Sequence, residues 1–570
     1  MKSLHRLLVC AACVAFITPF ADLAAQQRPR QNPPRIDPKT ASIKGLVTTA
    51  DTGAPVRGAE VRLSNRGGYE RLVTTEGDGS FRLSDLAAGE YRLTVSRTGF
   101  TSLVFGQRRP LEAPTAINLS EGETFTANLA LPRGGAIHGR VVDQFGDPIA
   151  GTRVQALRSR MIRGQRRLQT MGPGDLTDDT GEFRVYGLPP GDYYVTATTG
   201  PADAVRRDPP LFFPGTPSFA EAQSITLAVG SEAGADFQVL PLRNARVSGI
   251  VFNASGAPVQ AMVQLVSEAI GIGASIENAG PPPAFMINAD SGADGRFTID
   301  NVPPGPYILT ANSSFVAGMI AGNQAGNPNA GPPPAMREIM ERGPETATMS
   351  IIVAGDNVSD LALTTRRGGV LTGSFVADAG VVRPLPNSVY PDVRPAKGVG
   401  GPSMTRGGAT SAFRLAGMSG PFYLGINGLP DGWAVSQVTV DGVDVTDEPI
   451  DLKGQTSSAR VVLTDRITTI SGVVQARRQA ADFSVVVFPD DVTRWNYPSR
   501  YVRVARANER GQFRISGLPP NERYFAVAVD FLEEGEEQDP QFLERLRSQA
   551  MTLSLREGEQ RSIYLDPITQ

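Results

Sequence analysis

Cysteine is nearly absent from this chain. The two that occur, Cys10 and Cys13, sit within the apolar run at residues 7–17. Lys2, His5 and Arg6 precede that run, Pro19 ends it, and small residues follow up to Ala24-Ala25. This order reads as a signal peptide over residues 1–25, cleaved after Ala25. An exported chain would then hold no cysteine, which excludes disulfides, thiol catalysis and cysteine-based metal sites together. Histidine is as scarce: beyond His5 there is only His138. No His-rich zinc site can be assembled, and a Ser-His-Asp arrangement would rest on His138 alone.

Positive charge is not in excess either. The formal net charge is -3, which removes the sustained field that nucleic acid or an anionic membrane surface would need. Lysine is confined to Lys2, Lys39, Lys44, Lys397 and Lys453, so basic charge is carried almost wholly by arginine. No apolar run after the N-terminal one is long enough to suggest a membrane span in the mature chain. No cofactor and no metal are expected.

What is present is punctuation and repetition. The chain has 61 Gly and 45 Pro in 570 residues. That level suits a turn-rich folded protein better than a low-complexity one. After a leader at residues 26–39, expected to be disordered, a short alternating strand with a central glycine recurs. The glycines are Gly45, Gly139, Gly249 and Gly472, with a degraded copy at Gly373. A Gly-x-Pro turn follows at Pro55, Pro148 and Pro258, where Gly permits positive φ and Pro bars helix before it. Later in each copy comes an aromatic strand and a turn. The second copy reads Phe183-Arg184-Val185, then Leu188-Pro189-Pro190-Gly191-Asp192-Tyr193. Equivalent residues are Phe81 and Tyr91, Phe297 and Tyr307, and Phe513 and Tyr524. The fourth copy keeps Phe413 and Phe422 but lacks the double proline.

The period-two alternation predicts strands with one face in a core, and Pro190-Gly191 fits the centre of a type II turn. The fold class that follows is all-β. It is a tandem array of about five Ig-like or prealbumin-like antiparallel β-sandwich modules, with one short helix near the C-terminus. Expected boundaries are 40–133, 134–244, 245–367, 368–465 (the divergent module) and 466–570. Residues 271–284, 317–334 and 395–408, rich in Gly, Ala, Asn and Pro, read as flexible insertions. The helix is expected after Asp539, with Pro540 at its first position and a Phe542/Leu543/Leu546 stripe docked on the last sandwich.

The glycine strand, the Gly-x-Pro turn and the Leu-Pro-Pro-Gly-x-Tyr block resemble the carboxypeptidase regulatory-like domain family, of the transthyretin-like, carbohydrate-binding-like β-sandwich group. The resemblance covers residues 40–133, 134–244, 245–367 and 466–567. In 368–465 it is confined to the Phe413 strand and its neighbour. It implies a module that accompanies carboxypeptidases, adhesins and outer-membrane receptors. It implies no catalytic role.

Candidate chemistry is sparse. His138 alternates with Ile137 and is expected to face solvent. The acidic turns at Asp78, Asp178 and Asp294 lack the oxygen-ligand ladder of a calcium loop and read as hairpins. Lys44 stands where related collagen-adhesin modules can form an internal isopeptide bond, but the equivalent residues are His138, Ser248, Thr372 and Ser471. The acidic run at 533–537 reads as a solvated loop. Aromatics offer the binding hint: Phe212, Phe213, Trp495 and Tyr497 stand on long segments where stacking would suit a sugar or a protein partner, and the same residues equally suit loops that fold back onto their own sandwich. Trp433 is expected in a core. The functional expectation is an exported, non-catalytic binding or scaffolding protein of the bacterial cell-envelope type, periplasmic, at the cell surface or extracellular, with glycan or protein partners. The alternatives are a stalk or accessory subunit of an envelope receptor or secretion assembly, and a carboxylate-dependent hydrolase.

Overall fold

The computed structural model describes residues 40–65, 67–162, 164–199, 210–267, 286–313, 341, 343–396, 404–407, 412–475 and 483–569. The signal segment, the leader and the insertions at 271–284 and 317–334 lie outside the described residues. In the third insertion, Met404–Gly407 is a strand paired with Ala412–Met418, so that part is ordered by its hairpin partner.

The strands fall into ten sheets among the described residues. Five large hydrophobic clusters each draw on one stretch of chain: 41–131, 137–237, 245–363, 371–463 and 470–565. These define five units in chain order. In each, the glycine strand pairs antiparallel with the aromatic strand and parallel with the strand that closes the unit. In the first unit, Ala41–Thr49 lies between Ser80–Leu86 and the pieces Thr124–Thr126 and Leu129–Leu131. In the last, Thr469–Val474 lies between Gln512–Ser516 and Gln560–Leu565. The sheets are therefore mixed, not purely antiparallel. A parallel pair needs a long crossover, and the unit's second sheet supplies it. The fourth unit keeps this first-sheet pattern through Gly369–Ala377, but its second sheet is reduced to Tyr390–Pro395 and Phe422–Asn427.

The recurring glycine has a steric cause. The register sets Gly45 opposite Phe81, Gly139 opposite Phe183, Gly249 opposite Phe297, Gly373 opposite Phe413 and Gly472 opposite Phe513. A Cβ on Gly45, Gly139, Gly249 or Gly472 would fall inside contact with a backbone carbonyl of the closing strand, and on Gly373 inside the Phe413 ring. The aromatic ring covers the glycine that makes room for it.

The tyrosine of the Leu-Pro-Pro-Gly-x-Tyr block also has a fixed task. Tyr91 donates its phenol to the Ala87 carbonyl, Tyr193 to Pro189, Tyr307 to Pro303 and Tyr524 to Pro519. The turn glycines Gly89, Gly191 and Gly305 hold φ of 155°, 140° and 155°, well beyond the roughly +80° of a type II turn. Asn521 takes their place in the last unit at φ 63°. Burial pushes the Tyr193 phenol up to about 12 and raises those of Tyr307 and Tyr524 as well. A phenol whose folded-state value is raised lends stability that is complete below its unfolded value, about 10, and is lost as pH rises through the folded value. Tyrosinate absorbance followed on raising pH should therefore show one group of phenols ionising late and together with unfolding; smooth ionisation of all of them near pH 10 would contradict this.

The helix Pro540–Arg547 forms as its sequence predicts. The Asp539 carboxylate accepts from the Gln541 backbone N–H at 3.0 Å, and Pro540 occupies the first turn. Phe542, Leu543 and Leu546 are buried against the outer face of the fifth unit's second sheet, with Val486, Phe488 and Phe525. No helix among the described residues is long and apolar enough to cross a membrane.

Candidate functional site

The residues of greatest interest are those that join distant units. In the second unit, Arg153–Ile162 and Gln165–Leu176 form a long hairpin. Its far half meets the segment ahead of the C-terminal helix. Glu533 accepts from Arg160 Nε at 2.6 Å and from Arg158 at 3.0 Å. Arg160 spends its other nitrogens on Gln169 and the Glu534 carbonyl. These side chains are 10% (Arg160), 15% (Glu533) and 19% (Arg158) exposed, so the pairing is largely withdrawn from water. At the hairpin tip, Gly164 N–H donates to Gln538, and Arg166 reaches the helix-capping Asp539 at 2.6 Å. The carboxylate that starts the helix is thus also a tie between units.

A second set of contacts joins the first unit to the fifth. Arg506 donates to the Gly106 carbonyl and to Glu112, whose side chain is 8% exposed. The Leu111 carbonyl accepts from the Glu534 N–H at 2.9 Å, and Leu111 itself holds φ 73°, which bulky residues rarely adopt. The fifth unit is also tied to the fourth: Arg500 clasps Asp447 through two nitrogens, and Tyr501 donates to the same carboxylate at 2.7 Å. Between the first, second and fifth units lies a cleft of about 1370 Å³.

The acidic run at 533–537 is therefore not a wholly solvated loop: Glu534 is exposed, but Glu533 is a half-buried ion-pair partner, and burial raises the carboxyl of Glu536. The four aromatic candidates do not converge. Phe212 is buried, packed on Leu157 and Leu168 with its ring centre 5.6 Å from Phe219. Phe213 is half-buried and meets Phe237 at 5.7 Å. Trp495 is buried beneath the helix, its indole N–H bonded to the Pro489 carbonyl at 2.7 Å. Tyr497 is half-buried between units, under the Arg394 guanidinium at 5.5 Å and against Gly164 of the second unit. Phe212 and Trp495 thus have no free ring face to stack on a ligand. Their long segments fold back because the outer faces of these second sheets are apolar and need cover.

His138 is exposed, as is Lys44, which lies opposite Arg82 and Thr126 in the sheet. The turn acids hold backbone: Asp178 accepts from the N–H groups of Thr180 and Glu182 and from the Thr180 hydroxyl, which lowers its carboxyl. Asp78 accepts from Ser80 in the same way. Trp433 is in the fourth core. The interface residues Arg158, Arg160, Arg166, Glu112 and Arg506 were not singled out by sequence. A signal existed in the complementary charge of two runs, Arg158 to Arg167 and Glu533 to Asp539, but nothing local said that they meet.

No curated protein matches this chain in sequence. Among solved structures, the Bacillus anthracis TIE protein is 14% identical over 57% of this chain and 51% of its own, with a TM-score of 0.15. The match thus spans about half of that protein's length. The Streptococcal ancillary pilin is 14% identical over 57% of this chain and 99% of its own, with a TM-score of 0.19. The minor pilin GBS52 of Streptococcus agalactiae is 14% identical over 36% and 96%, also at 0.19. Such scores carry nothing about assembly or partners. The family match is more direct, and it falls on the first two units, the second of which carries the arginine hairpin. Residues 42–132 and 136–240 are two tandem copies of the carboxypeptidase regulatory-like domain, and these two units belong to that family.

Proposed function

We propose that this chain is an exported, non-catalytic binding and scaffolding protein of the bacterial cell-envelope type. In this reading the five units are five modules bounded at 133/134, 244/245, 367/368 and 465/466. They are held in a fixed arrangement so that surfaces between modules meet glycan or protein partners. The observation that carries it is the junction at Glu533. Two arginines and a carboxylate, 373 residues apart in the chain for the closest pair, are withdrawn from water to hold module five against module two. Buried pairs of this kind are costly to form and costly to break on one side. They make sense where geometry between modules matters more than the stability of any one module. A loose tether would need none of them.

Two measurements test this. Cell fractionation with N-terminal mapping should find the protein outside the cytoplasm, beginning at Gln26. The mature chain, immobilised and exposed to native envelope extract, should retain a glycan or protein, and a Glu533→Ala chain should retain less of it. A cytoplasmic, unprocessed protein, or equal retention by both chains, would sink the reading.

A further inference from the structure

We propose that the fourth unit takes up an extended segment of a partner protein as an added strand, along the free edge of Phe422–Asn427. This rests on the binding function proposed above and names the partner as a polypeptide. In the other four units the equivalent strand of the second sheet has a further antiparallel neighbour. Ile117–Leu119 lies beside Gly89–Ser96, and Ser224–Leu227 beside Gly191–Thr198. Glu345–Val353 lies beside Gly305–Asn312, and Met551–Leu555 beside Glu522–Val529. In the fourth unit the next strand along the chain, Ala434–Val440, belongs instead to the first sheet, where it pairs with Thr456–Thr464. Phe422–Asn427 keeps Tyr390–Pro395 on one side. On the other it has, among the described residues, a single bridge to Ile450.

That bridge fixes which groups are bare. The Phe422 N–H donates to the Ile450 carbonyl at 2.7–2.9 Å spacing in a reciprocal pair, each residue also accepting from the other. Backbone direction alternates along a strand, so the N–H and C=O groups of Leu424 and Ile426 point to this same open side. No other segment pairs with them there among the described residues. The chain does not continue the pairing from Ile450. Pro449 has no N–H to give, and the Glu448 N–H turns back to the Val445 carbonyl at 3.3 Å. The core is short of cover at the same place. In the other four units the inward residues of this strand, such as Tyr307, Leu309 and Ala311, are buried. Leu424 and Ile426, packed on the fourth core, are only half-buried. A strand laid along this edge would pair with the bare groups and set its own alternate side chains beside Leu424 and Ile426, so those side chains should be apolar. It would run antiparallel to Phe422–Asn427, as Ile450 does, and its C-terminal end would meet the exposed Glu448 and Asp451. Residues 441–451 contain no lysine or arginine. Charge complementarity therefore asks for basic residues directly after the partner's strand.

The test uses the full mature chain and a synthetic peptide that alternates valine with threonine and ends in lysines, its affinity read by fluorescence anisotropy. The peptide should bind. Methylating its valine amides, which would face Leu424 and Ile426, should weaken it at least about tenfold. Methylating its threonine amides, which would face away from the edge, should not. Exchanging its lysines for glutamates should weaken it as well, and added salt should shrink that difference. A chain beginning at Gln26 has no cysteine, so disulfide trapping can place the peptide. With one threonine replaced by cysteine it should cross-link to Asn427→Cys and not to Tyr390→Cys, which stands opposite Asn427 on the neighbouring strand. Failure of the lysine-ended peptide to bind, equal losses from the two methylated forms, indifference to the terminal charge, trapping at Tyr390→Cys alone, or a dimer in sedimentation that excludes the peptide would each overturn the proposal. If no peptide binds while envelope retention by the chain persists, the edge assignment falls and the broader binding function stands.

Discussion

Glu533→Ala is expected to release the fifth unit from the second and to weaken that junction by about 3–5 kcal/mol. The substitution leaves Arg158 and Arg160 facing each other at a site from which water is largely excluded, with the shared carboxylate gone. Arg160 keeps Gln169 and the Glu534 carbonyl, but neither neutralises its charge. Small-angle scattering should show the chain expanding, and limited proteolysis should cut near 533–539 faster than in the parent. Each unit has its own core, so the variant should still fold. Glu533→Gln should be milder, since its amide oxygen still accepts one guanidinium hydrogen bond. The effect should also be visible as coupling. In a double-mutant cycle, Arg160→Met should lose most of its own cost once Glu533 is already alanine. Simple additivity between the two sites would mean that the ion pair does not hold the junction.

Gly472→Ala should destabilise the fifth unit by roughly 3 kcal/mol, a large effect for one methyl group. The added Cβ would strike the Ile563 carbonyl on the neighbouring parallel strand and lie 2.9 Å from two ring atoms of Phe513. The ring could turn, but the carbonyl belongs to the sheet ladder and cannot move without breaking the pairing from Thr469 to Val474. Phe513→Leu should therefore fail to rescue it. Gly77→Ala is the matched control, because nothing lies within 4 Å of its Cβ position and its φ is not in the left-handed region. It should change stability by no more than about 0.5 kcal/mol. Denaturant midpoints for the three variants would decide the matter. A Gly472→Ala chain as stable as Gly77→Ala would contradict the close-approach account. Because the fifth unit carries Glu533, its loss should also open the junction.

Local pattern carried much of the fold. A glycine amid alternating apolar residues, an aromatic strand and a Pro-Pro-Gly-x-Tyr turn are written within short windows. Their physical causes, the close strand, the covering ring and the phenol-to-carbonyl bond, recur in the same register. The helix was legible for the same reason: Asp539, Pro540 and the Phe542/Leu543/Leu546 stripe are adjacent. A smaller recurring device was visible in outline but not in role. Thr75, Thr177 and Ser291, each four residues before a turn glycine, use a side-chain oxygen to bind the N–H of Ala59, Thr152 and Ala261.

What sequence pattern could not decide is which surfaces are outside. Phe212 and Trp495 stand on long segments where a binding ring and a ring folded back onto its own sandwich look alike, and only the sheets beneath them, apolar on both faces, draw those segments down. The run at 533–537 read as solvated because charge ordinarily seeks water, and only the return of the chain sets it against Arg158 and Arg160. The sequence by itself determined the repeating unit, its strand order signals and its steric glycine. The tertiary structure alone decided the cleft and the junction, because both depend on groups far apart in the chain, and an arginine near residue 160 holds no local record of a glutamate at 533.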